Sequence, residues 1–82
     1  MTNEPTNTDR AAWAQEALAV FTARTFSGDH PDTMDRGDLQ SAIGDLITDL
    51  LHFAEQHGFD TDELLRRAVM HFECELHEEA RP

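Results

Sequence analysis

Residues 35–57 form the longest stretch of this chain with a sustained 3.6-residue period, and that period dictates a helix. Placed at 100° intervals, Leu39, Ile43, Leu46, Ile47, Leu50, Phe53 and Ala54 fall on one broad face, with Leu51 at its margin. Asp35 is suited to open the helix, or Thr33 if the next two residues already belong to its first turn. Gly58 is suited to stop it after His57, with Phe59 folding back on the last turn. The apolar arc covers close to half the circumference, wider than one neighbour fills. The helix is therefore expected to pack against two surfaces, one of them belonging to another chain, through Leu39, Ile43, Ile47, Leu50, Leu51 and Ala54. Gly44 costs roughly 1 kcal/mol relative to Ala in a helix interior, which fits either a close backbone crossing or a tolerated surface glycine.

The flanking segments look cut to pack on this helix. Residues 9–25 are rich in Ala, with Thr8 as a candidate N-cap and Asp9 in the first turn. Trp13, Ala17, Leu18 and Phe21 are assigned to its packing face, with Ala14 between them. Gly28 ends that helix, and 28–34 reads as loop because it concentrates turn formers and Pro31. There His30, beside Asp29 and Asp32, fits a solvated loop or a cation ligand. Asp60 caps a third helix, with Glu63 in a capping-box relation, and Leu64, Leu65, Ala68, Val69, Phe72 and Leu76 make its apolar face. No alternating run of β-formers interrupts this pattern. The expectation is an all-α, three-helix domain whose long central helix and last helix form an antiparallel hairpin. Residues 1–7 are expected as a disordered leader, 8–79 as one domain and 80–82 as a frayed tail.

A domain of 82 residues buries only roughly 60% of its unfolded surface, so a homodimer is a natural expectation. Against 17 acidic residues stand 6 basic ones, all Arg, for a formal charge of -11. Such a surface repels phosphate backbones and disfavours direct nucleic-acid binding. It serves as plain solvation, as attraction to a basic protein or a divalent cation, or as an imitation of nucleic acid. The single Cys74 has no intrachain partner. No apolar run approaches the length of a membrane span, and no signal-peptide pattern opens the chain, so a soluble cytoplasmic protein is expected.

On the central helix Asp38, Asp45, Asp49, His52 and Gln56 form a stripe beside the apolar face, and on the last helix His71, Cys74, Glu75 and Glu78 form another. If these flanks meet, Asp45, Asp49, His52, His71 and Glu75 make a candidate metal site for Mg²⁺ or Mn²⁺, since facing helices with inward carboxylates and imidazoles are how bundle sites are built. The plainer alternative is chance, because acid pairs four residues apart are common in so acidic a chain and their repulsion is only a few tenths of a kcal/mol. His71 and Glu75 also suit a simple i,i+4 pair, and His57 suits a capping role at the end of its helix. His71, Cys74 and His77 share a face at zinc-like spacing, yet no second Cys completes a structural site, which favours a partly buried, inert thiol. No nucleophile arrangement or phosphate-cradling glycine loop is present, and no catalytic residue or cofactor is assigned.

The run Gly44-Asp45-Leu46-Ile47-Thr48-Asp49-Leu50-Leu51, followed by Ala54, His57-Gly58-Phe59-Asp60 and Glu63-Leu64-Leu65, resembles the second half of the all-α MazG-like nucleotide pyrophosphohydrolases over roughly 38–70. The resemblance implies a helical homodimer or tetramer that hydrolyses nucleoside triphosphates between the α and β phosphates with Mg²⁺ held by acidic side chains. Asp45 matches the Asp of that family's Glu-x-x-Asp motif, whereas Ala42 stands where the motif has Glu. The family's Glu-Glu-x-x-Glu motif has no counterpart, since the first helix offers only Glu16. Without those ligands the charge developing on a phosphoryl group has little to neutralise it. The leading expectation is a small, acidic, non-enzymatic interaction module, either a degenerate MazG-like protein or a mobile-element accessory. Its alternatives are a Mg²⁺- or Mn²⁺-dependent pyrophosphohydrolase and a nucleic-acid mimic in a basic protein groove.

Overall fold

The computed structural model describes residues 4–80 and contains three α-helices and one short 3-10 turn, with no strand among the described residues. In chain order they are α1 (Asn7–Thr25), the turn Pro31–Thr33, α2 (Arg36–Gln56) and α3 (Thr61–Ala80). The all-α, three-helix architecture is the one the periodicity predicts. None of the described helices is long and apolar enough to cross a membrane.

Each boundary has a local cause. α1 begins at Asn7, two residues earlier than expected, because Thr6, not Thr8, closes a reciprocal pair: its hydroxyl accepts the Asp9 N–H at 3.1 Å, and the Asp9 carboxylate accepts the Thr6 N–H at 3.0 Å. Thr6 and Asn7 thus belong to the ordered helix start, while residues 1–3 of the expected leader and 81–82 of the expected tail lie outside the described residues. Ser27 and Gly28 both take positive φ after α1 and turn the chain. The expected loop contains an element that its composition hid. His30 Nδ1 accepts the Asp32 N–H at 3.1 Å and starts a 3-10 turn around buried Pro31. Gln15 on α1 donates to the Asp32 carboxylate at 2.7 Å and ties that turn down.

Asp35 caps α2 by accepting the Asp38 N–H at 2.8 Å. At the other end Gly58, at φ 77°, donates to the Glu55 carbonyl at 3.0 Å, and the Phe59 N–H reaches back to the Ala54 carbonyl at 3.1 Å. That pair of bonds is a Schellman motif and explains why the helix stops where the glycine stands. His57 contributes its backbone N–H to the cap, while its ring lies 4.5 Å from Phe53 and 6.3 Å from Phe59 between centroids. For α3 only half of the expected capping box forms. Asp60 accepts the Glu63 N–H at 3.0 Å, but the Glu63 carboxylate turns to Arg66 instead of back to the cap.

Packing is sparse. Among the described residues, Leu18 and Thr22 of α1, Pro31, and Ala42 and Ala54 of α2 are the buried ones. α1 therefore faces inward through Leu18, one of its expected packing residues, and Thr22 one turn further on, while Ala17 of the expected face stays exposed. Trp13 remains 57% exposed and Phe21 only half-buried. The cause is chemical: Thr22, polar by composition, buries without penalty because its hydroxyl donates to the Ala19 carbonyl at 3.3 Å. Each helix touches the other two. α3 nevertheless carries no buried residue, so its apolar face is not closed against α2. Its tie to α1 is polar, with Arg10 3.2 Å from the Glu75 carboxylate, the Asn7 side chain donating to the Glu75 carbonyl at 3.1 Å, and the Asn7 N–H donating to Glu79.

Candidate functional site

The most distinctive surface follows from that sparse packing. On α2 the small residues Ala42 and Ala54 are buried, whereas Leu50, near the middle of the apolar arc, is 56% exposed, and Ile43, Ile47 and Phe53 are exposed with it. A helix normally buries its largest apolar groups first, because burying a Leu or Ile side chain stabilises by about 1.5–3 kcal/mol and an Ala far less. Here the order is inverted. α1 and the 3-10 turn stand beside α2 without covering it, and leave a groove of about 460 Å³. One wall is built from Ala11, Ala14 and Leu18, the floor includes Pro31, and the other wall is Leu39, Ile43, Leu46, Ile47 and Leu50. Gln15 and Asp32, bonded to each other, form its polar rim.

Of the six interface candidates, Ile43, Ile47 and Leu50 are exposed, Leu39 and Leu51 are half-buried, and Ala54 is buried inside the chain and withdrawn from any partner. Periodicity placed Ala14 in the packing face of α1 but overlooked Ala11. Alanine is a weak marker of burial, and only the rotation of α1 toward Leu18 and Thr22 makes those residues a wall.

A second apolar surface lies on α3. Leu64, Leu65, Val69, Phe72 and Leu76 are all exposed, Phe72 at 59%. Each position was legible as part of an apolar face, but not its exposure among the described residues.

The metal candidates are dispersed. Asp45, Asp49 and His52 are exposed on α2. His71 is exposed on α3 and lines a separate shallow groove of about 470 Å³ with Phe59, Asp60, Glu63, Leu64, Arg67 and Ala68. Glu75 is half-buried and engaged by Arg10. Among the described residues no three His, Cys, Asp or Glu side chains are grouped to hold a metal ion. The flanks fail to converge because α3 gives Glu75 to α1 instead of presenting it to α2. Cys74 is exposed, not partly buried as expected, and lies in a shallow depression with Met70, Glu73, His77 and Glu78. His30, whose Nδ1 accepts a backbone N–H, is committed to its turn.

Every Asp and Glu among the described residues except Glu75 is exposed, so the acidity forms an outer shell. The chain matches no protein-family model, no curated protein and no solved structure.

Proposed function

We propose that this chain is a non-enzymatic protein-interaction module of the cytoplasm that works as a homodimer and offers its acidic shell to a basic protein. The observation that carries this reading is the inverted burial of α2 together with the uncovered face of α3. Apolar surface of that extent on a small chain marks an association site. Dispersal of Asp45, Asp49 and His52 from Glu75, already paired with Arg10, supports this reading over nucleotide hydrolysis.

Salt separates the two kinds of contact. Two copies of charge -11 repel, so screening strengthens an apolar homodimer. Attraction to a basic partner weakens under the same change. Light scattering at 50 and 500 mM salt is expected to give a dimer mass at micromolar concentration, with a tighter dimer at the higher salt. A monomer at high micromolar concentration in both conditions would overturn the homodimer. Loss of a basic partner's binding between the same two salts supports the acidic shell as its contact, and salt-independent binding would refute that part.

A further inference from the structure

We infer that the dimer forms by reciprocal insertion: the apolar stripe of α3 from each copy seats in the α1–α2 groove of the other. This deepens the homodimer reading and rests on it. Three observations lead there.

The first is area. A folded monomer of this mass exposes about 5,000 Å² by the usual scaling, whereas this chain exposes 6909 Å². The five residues outside the described range would contribute at most about 900 Å² even if fully extended. An excess of about 1,000 Å² or more per copy remains, which for two copies reaches the roughly 2,000 Å² at which obligate homodimer interfaces begin.

Shape and register supply the second. The groove is concave, with Ala11 and Ala14 on one wall, and no α3 residue of its own chain lines it. The exposed stripe of Leu65, Val69, Phe72 and Leu76 is a helical ridge of large side chains. A ridge of large side chains facing a groove with a small-residue wall is the helix-in-groove mode of recognition. Pairing two ridges would instead leave both grooves open.

Charge is the third. Among the residues lining the groove only Asp32 is acidic, and it is already bonded to Gln15; on α3, Glu75 and Glu79 share the side of Phe72, but Glu75 is paired with Arg10 and Glu79 accepts from Asn7. Two copies of charge -11 can therefore approach there with the nearest carboxylates already partnered within each chain.

Two single variants and their mixture test the exchange. Ile47→Lys alters the groove and Phe72→Glu alters the stripe, at side chains that are 44% and 59% exposed within one chain. In a reciprocal dimer each homodimer carries two damaged contacts, but a mixed dimer carries one fully native contact and one Lys–Glu contact. Each variant alone is therefore expected to lose at least tenfold in dimer affinity, and an equimolar mixture to regain most of it. Mass and helix content should recover together, so the test remains readable if a lone variant also loses helix. Failure of the mixture to recover, or undisturbed dimers from either variant alone, would overturn insertion while leaving a wild-type homodimer intact. A wild-type monomer would overturn the homodimer itself.

Discussion

Thr6 and Thr8 stand two positions apart before the same helix, and their side chains do different work. The Thr6 hydroxyl accepts the Asp9 N–H, and the Asp9 carboxylate accepts the Thr6 backbone N–H in return; Thr8 lies inside the first turn and is exposed. Thr6→Ala is expected to destabilise by about 1 kcal/mol, and Thr8→Ala by less than about 0.5 kcal/mol. Urea midpoints measured at one fixed protein concentration check the contrast, because dimer stability depends on concentration. A larger loss from Thr8→Ala would move the cap to the residue that composition favours. The pattern hid the true cap because Thr6-x-x-Asp9 closes its box with Asp, where the usual signature has Glu or Gln. At Asp60 the usual signature is present, yet its Glu63 side chain prefers Arg66.

At the scale of elements, α2 was legible from end to end because two chemically specific residues bound it. Asp35 caps its start, and Gly58 supplies the positive φ at its close. α1 was legible as a helix but not in its rotation. Ala supplies little burial signal, and Thr22 became an interior residue only through its bond to the Ala19 carbonyl. The two acidic flanks stay apart for a different reason: helical spacing fixes which residues share a face, not which faces meet, and Glu75 is engaged by Arg10 of α1. Gly44 can now be assigned. A Cβ built there meets nothing within 4 Å, so no backbone of the same chain crosses it. Gly44→Ala should stabilise the protein by up to about 1 kcal/mol, since only helix propensity changes. A raised denaturation midpoint checks this, and a lowered one would reveal a close crossing supplied by a second chain.

The whole molecule is too extended for its length. Its radius of gyration is 14.8 Å, against about 11.7 Å for a compact domain of this size. The excess breadth of the α2 face was readable as a need for a second surface. Its full consequence was not, because the openness of α3 is a tertiary property: polar bonds at one end hold the helix while its apolar length stays free. Helices draw most of their stability from a packed face, and a 20-residue helix with no buried residue has little of it until a partner arrives.

Those same polar bonds join the start of α1 to the end of α3, since Asn7 reaches both Glu75 and Glu79. The three helices are therefore closed into a ring whose covalent break falls at one corner. A circular permutant that links residue 80 to residue 4 through about six Gly and Ser residues, and opens between exposed Gly28 and Asp29, should keep native helix content and dimer mass. Loss of folding on that rewiring would show that Asn7 and Glu79 are not neighbours. Success would mean that any domain fused at either end of the helical unit leaves from the same corner, and that two fusions, one at each end, would stand side by side.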